Sequence, residues 1–199
     1  MKKFELTNEF VTNMFGTKLF RIRALVEFGD VEAGELGGYV EKESNLGHDD
    51  NAWVYGNAQV SGDARVYGNA LVYGNAWVHG DAQVSGDARV YGNAWVYGNA
   101  WVYGNAWVYG NALVCSDEDY AYAHGFGSVN RTTTFFRLKD GGVGVRCGCF
   151  YGTLAQFRDK IRETHGETKK AQEYLMLADL MELRFEEDEN EVGNRKYVE

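Results

Sequence analysis

From residue 51 onward the hydrophobic pattern has a period of six. The chain reads NAWVYG NAQVSG DARVYG NALVYG NAWVHG DAQVSG DARVYG NAWVYG NAWVYG NAWVYG NALVCS. Valine stands at every sixth position from Val54 to Val114, eleven times without a miss. Alanine precedes each valine by two residues. Gly and then Asn or Asp follow it, until the run breaks at Ser116 and Asp117. Side chains alternate across a strand, so Ala and Val share one face and the residues flanking Val share the other. Gly-Asn and Gly-Asp tolerate positive φ and make turns. Each hexad therefore predicts a short strand followed by a corner, with Ala and Val pointing in.

Three such sides close a triangular coil of 18 residues, and stacked coils pair their strands in parallel. The hexads resemble the hexapeptide-repeat left-handed parallel β-helix, in which an aliphatic residue is followed four positions later by a small one. The handedness is implied by that resemblance. Val40 and Leu46 keep the phase on one side of the block, and Tyr120 and Phe126 keep it on the other. LGHDDNAW carries two extra residues and predicts a loop at a corner. The expectation is five coils, a solenoid roughly 24 Å long, with Tyr120 and Phe126 plugging its end.

A period of 18 stacks the outward residues in columns. Tyr55, Tyr73, Tyr91 and Tyr109 form one tyrosine column, with Trp53, Leu71, Arg89 and Trp107 beside it on the same side. Trp77 lies over Trp95 on a second side, next to Ser61, His79 and Tyr97, and Trp101 falls on the third. Exposed aromatic surface of this extent marks either a self-supporting β-ladder or a contact. The expected binding residues are accordingly Tyr55, Tyr73, Tyr91, Tyr109, Trp77, Trp95, Trp53 and Trp107. However, residues 51–74 and 75–98 match at 21 of 24 positions, a duplication out of phase with the coil. Most of the ladder thus reads as scaffold that lengthens freely.

The flanks carry different signals. In KLFRIRALVEF, apolar and polar positions alternate as in a strand, and residues 1–35 are expected to cap the solenoid at 36–128. TTTFFRL and VGVRCGCF surround Lys139-Asp140-Gly141-Gly142 and predict a hairpin. Thr153 can cap a helix with Leu154, Phe157 and Ile161 on one face. Thr168 can start another with Ala171, Leu175, Ala178 and Phe185 among its apolar positions. Residues 129–185 therefore read as a small ββαα module, and 186–199 as an acidic tail.

Charge narrows the function classes. The chain has 199 residues, with 20 Lys and Arg against 29 Asp and Glu, a net charge of −9. A domain that grips a phosphate backbone is basic, so no direct nucleic-acid binding is expected. Residues 51–128 hold six acids and two arginines, too thin a charge for imitating a duplex. The sequence shows neither a membrane-length apolar run nor an apolar core near MKKFELTNEF, and three cysteines make no disulfide framework. A cytoplasmic protein without a membrane partner is the expectation.

The segments RIRALVEFGDVEAGELGGYVEKESNL, NAxVYG and TTTFFRLKDGGVGVRCGCFYGTL…THGE…AQEY resemble the YdcK-like β-solenoid proteins of bacteria, their phages and prophages. The resemblance implies a mainly β fold and supplies no agreed catalytic residues or cofactor. Acyl transfer from acyl-CoA would need a histidine base; His48, beside Asp49 and Asp50, and His79, outward in the repeat, are the candidates. Cys147, Cys149 and His165 are the candidates for a metal, although Cys-x-Cys lacks the paired spacing of a zinc site. The reading is a non-enzymatic interaction protein that self-associates as a trimer or dimer. In a phage setting it would sequester or block a host defence protein or a signalling nucleotide. The alternatives are an acyltransferase and a self-assembling scaffold.

Overall fold

The computed structural model describes residues 2–127 and 131–186. The tail expected beyond residue 186 lies outside the described residues. The chain opens with an antiparallel hairpin of β1 (Phe4–Thr12) and β2 (Lys18–Ala24). The third strand, β3 (Leu36–Val40), runs antiparallel to β2 on one edge. Eleven two-residue strands follow, each the x-Val pair of one hexad. In chain order, β4 to β14 are Trp53–Val54, Gln59–Val60, Arg65–Val66, Leu71–Val72, Trp77–Val78, Gln83–Val84, Arg89–Val90, Trp95–Val96, Trp101–Val102, Trp107–Val108 and Leu113–Val114. They stack as three parallel sheets, in the orders β3-β5-β8-β11-β14, β4-β7-β10-β13 and β6-β9-β12.

Axial hydrogen bonding explains why so short a strand holds. In each hexad from Trp53 to Tyr97 the residue before Val donates to an Ala carbonyl one coil on, and the residue after Val donates to a Val carbonyl. Trp77 N donates to Ala94 O at 2.9 Å and His79 N to Val96 O at 3.0 Å. The corner joins in, Asn75 N donating to Gly92 O at 2.9 Å. Asn51, Asn69 and Asp87 form a side-chain ladder at 3.1 and 3.0 Å. From Ala52 to Val114 the Ala and Val side chains are fully buried. They form the core of the tube.

The expectation of a mainly β solenoid followed by two helices is met, but the solenoid has about four turns where five coils were expected. The chain leaves it at Tyr120. There β15 (Tyr120–Phe126) turns antiparallel to β16 (Arg131–Arg137). Tyr120 stays buried in the solenoid core, whereas Phe126 is an exposed strand end paired with Arg131. The place expected for Phe126 goes to Phe136, which is buried against the last coil. Two further strands, β17 (Val143–Cys147) and β18 (Phe150–Thr153), complete a four-stranded sheet where a two-stranded hairpin was expected.

Helices α1 (Leu154–His165) and α2 (Lys169–Phe185) start where the capping threonines predicted. Thr153 accepts from Gln156 N and Thr168 from Ala171 N. Leu154, Phe157 and Ile161 bury one face of α1 against Phe135, Val145 and the α2 residues Ala171, Tyr174 and Ala178. This second core is separate from that of the solenoid.

Candidate binding cleft at the end of the solenoid

The stacking phase places the aromatic columns as expected, but the ends of the chain cover much of them. Trp53 was expected to face solvent. Instead Phe4 and Phe28 pack edge-on against it at 6.2 and 5.3 Å, and it is fully buried. The coil phase puts Trp53 on the outer face, and the entering chain then lies over that face. Trp77 and Trp95 stack at 5.3 Å. Phe15, from the β1–β2 turn, leans on Trp77, and Lys139 Nζ sits 4.1 Å over the Trp95 ring.

The tyrosine column is likewise part of an internal seat. Tyr73 stacks on Tyr91 at 4.7 Å, and Tyr91 lies 4.2 Å from Tyr109. Tyr151 of β18 meets Tyr109 edge-on at 4.6 Å. Arg146 Nε donates to Tyr91 Oη at 3.1 Å. Burial raises the Tyr91 phenol above its ordinary pKa, with Arg146 pulling the other way. Tyr55, at the far end of the column, is half-buried.

Where this seat meets β16 and β17, a cavity of about 360 Å³ opens, lined by Asn105, Trp107, Arg131, Thr132, Arg146 and Gly148. The strand register brings them together. Arg146 pairs across from Thr134, whose Oγ1 accepts from Trp107 N at 2.9 Å and fixes the sheet to the last coil. Arg146 Nη1 donates to Phe150 O at 3.0 Å. The Arg146 and Arg89 guanidiniums sit over the Trp107 ring at 5.2 and 5.1 Å. Arg131 folds across Gly148, where any Cβ would collide with its guanidinium. None of Arg89, Arg131 and Arg146 has a carboxylate partner among the described residues.

A second cavity of about 260 Å³ adjoins, and Arg131 lines it too. It contains all three metal candidates, Cys147, Cys149 and His165, together with Lys160 and Tyr174. Thr133 Oγ1 donates to Cys147 Sγ at 3.1 Å, and the His165 ring stacks on Tyr174 at 5.9 Å. The three share a wall, but no group of three His, Cys, Asp or Glu side chains among the described residues is placed to hold a metal.

The candidate bases are both engaged. His48 Nδ1 accepts from Lys3 N at 3.1 Å, its Nε2 is 2.9 Å from Glu43 Oε1, and its ring stacks on Phe4 at 4.4 Å. It ties the entering chain to the corner insertion. His79 stacks on Tyr97 at 5.1 Å, lies 5.4 Å from Phe15, and burial lowers its pKa from 6.5.

Trp107, Tyr91 and Tyr109 were expected as binding residues, whereas Asn105, Arg131, Thr132 and Arg146 were not. A signal for the arginines exists. Residues 131–149 hold four basic residues, Arg131, Arg137, Lys139 and Arg146, against one acid, Asp140, in a chain of net charge −9.

Residues 58–68, 64–80, 82–98 and 94–110 match the YdcK β-solenoid repeat, so the hexad block is a YdcK-like β-solenoid. Comparison with curated proteins gives no match. No helix among the described residues is long and apolar enough to cross a membrane.

Proposed function

We propose that this YdcK-like β-solenoid protein is a non-enzymatic binding protein, with the solenoid as rigid scaffold and its C-terminal end as the binding surface. One observation carries the reading. The C-terminal sheet does more than cover the last coil, because Thr132 and Arg146 join Asn105 and Trp107 around a cavity of about 360 Å³. A cap needs only to satisfy the exposed edge. A concave site with convergent polar groups is what a ligand needs. Acyl transfer from acyl-CoA has less support, since a general base must reach its substrate and His48 has both ring nitrogens engaged within the fold.

In the setting that the phage and prophage resemblance implies, the protein sequesters or blocks a host defence protein or signalling nucleotide in the cytoplasm. Self-association into a trimer or dimer belongs to the same proposal. Native mass spectrometry of the protein as purified from cells tests both parts. An oligomer carrying a small extra mass, or a host protein retained with it, supports binding. A ligand-free species that retains nothing, and that turns over acyl-CoA until His48 is replaced by Ala, overturns it.

A further inference from the structure

We infer that the cleft lined by Trp107, Arg131 and Arg146 binds a small phosphorylated ligand, with the phosphate between the two guanidiniums. The inference rests on the binding reading above and names the ligand's chemistry. Charge is the first ground. Arg131 and Arg146 line one cleft in an acidic protein, Arg89 shares the Trp107 ring with Arg146, and none of the three is neutralised by a carboxylate among the described residues. Like charges gathered this way repel, and an anion between them removes that cost. On the solenoid side Asp87, one coil before Asn105, already accepts from Asn69 at 3.0 Å.

Preorganisation is the second ground. Arg146 is held by Tyr91 Oη at 3.1 Å, by Phe150 O at 3.0 Å and by the Trp107 face at 5.2 Å. These contacts use Nε and Nη1. Nη2 makes no hydrogen bond among the described residues and lies on a group that lines the cleft. Arg131 is threaded over a residue without a side chain, Gly148 at φ +58°. The Arg146 fork, fixed in this way, matches phosphate oxygens without losing further rotamer freedom, and the exposed Arg131 supplies the second charge from the rim of the cleft. The Asn105 amide adds a neutral hydrogen-bonding group on the same wall, beside Thr132, whose Oγ1 lies 2.9 Å from His124 Nδ1.

Size is the third ground. About 360 Å³ falls within the range of small-molecule sites, roughly 300–1,000 Å³. The cleft therefore has room for more than a lone ion. The Trp107 ring already carries Arg89 and Arg146, so the recognised feature is the phosphate and not an aromatic base stacked on the indole.

Calorimetric titration of the full chain with inorganic phosphate, pyrophosphate, AMP and adenosine tests this, at low salt and again at high salt. AMP or pyrophosphate should bind, adenosine should not, and binding should weaken with salt. Arg131→Gln should weaken it by about tenfold or more, the loss of a charge-assisted bond, with the melting temperature unchanged. If that variant does not fold, Thr132→Val and Arg146→Lys serve, the latter keeping the charge but losing the fork. Stronger binding of pyrophosphate than of AMP would mean the phosphate alone is read; the reverse would mean the rest of the ligand also contributes. Equal binding of AMP and adenosine, wild-type affinity in Arg131→Gln, or no binding by any phosphate at about 1 mM overturns the inference. A retained partner or a phosphate-free ligand in the mass spectrum would then leave the binding reading standing. Failure of both experiments removes both.

Discussion

The buried ammonium of Lys3 donates to the Ala52 carbonyl at 2.9 Å, and to Asp50 O at 2.8 Å. The direction of the axial hydrogen bonds explains it. N–H groups point toward later coils, so the first coil presents carbonyls and the last presents N–H groups. A cation serves the first end. At the other end Asp117 Oδ1 accepts from Trp101 N at 2.6 Å, and Thr134 Oγ1 from Trp107 N at 2.9 Å. The solenoid is polar along its axis, and each flank supplies the complementary chemistry.

Replacing Lys3 with Met keeps the length of the side chain and removes the donors. The two carbonyls then lose charged hydrogen bonds in a buried setting, a cost of about 2–4 kcal/mol. Urea denaturation should show a lowered midpoint, and hydrogen exchange should quicken first in β1. An unchanged midpoint would mean that water serves these carbonyls.

A corner glycine does two separate jobs, and comparison with the glycine of the β1–β2 turn separates them. Gly86 has φ +66°, and a Cβ there would lie 3.0 Å from Gly104 N of the next coil. Gly16 has φ +79°, with nothing within 4 Å. Gly16→Ala should cost only the left-handed backbone strain, about 1 kcal/mol. Gly86→Ala adds the clash and should cost about 1–3 kcal/mol. Equal losses would show that the stacked corner yields.

The hexads were legible because their period is strict and each repeat satisfies its neighbour. Strand β1 was not. FELTNEFVT lacks clean alternation, and its register shifts between Leu6 and Phe10. Trp53 was read as outward because phase fixes a face and cannot tell whether another segment later lies on it. The fate of Tyr120 and Phe126 was half legible. Phase carried Tyr120 into the core, but nothing local says that the chain reverses after it to let Phe136 plug the tube. The cleft was the least legible part. Arg146 and Tyr91 are 55 positions apart, and only the docking of the C-terminal sheet joins them.

His79 gives the solenoid a pH dependence. Burial lowers its pKa below 6.5. Between that ordinary value and the lower folded one, the unfolded chain binds a proton that the folded chain does not. Stability from this group is therefore full above pH 6.5 and declines as pH falls toward the folded pKa. His79→Tyr, which restores the residue found at Tyr55, should flatten this part of the stability profile. An NMR titration giving His79 an ordinary value would remove the basis for it.

Asn45 and Asp119 occupy matching places, each ending a short 3₁₀ turn just before Leu46 or Tyr120. Their one-atom difference follows the axial polarity. Asn45 must donate and accept at once: Nδ2 gives to Gly62 O at 3.1 Å and Ala64 O at 2.8 Å, while Oδ1 accepts from Lys42 N at 2.9 Å. Asp119 Oδ2 accepts from Cys115 N and Ser116 N, both at 3.0 Å, and its Oδ1 lies 3.8 Å from Arg137 Nε. Asn45→Asp would set a carboxylate against two carbonyls and should cost about 2–4 kcal/mol. Part of that cost should be recovered at acidic pH, where the carboxyl is protonated and can donate. Asp119→Asn keeps one acceptor but removes the charge facing Arg137, and should cost about 3 kcal/mol. It should also quicken hydrogen exchange at the end of α2, because Arg137 Nη2 holds Phe185 O at 2.9 Å. Melting curves of the two variants at pH 7 and pH 4.5 decide this. If acid helps Asn45→Asp no more than wild type, the polarity argument fails at that end.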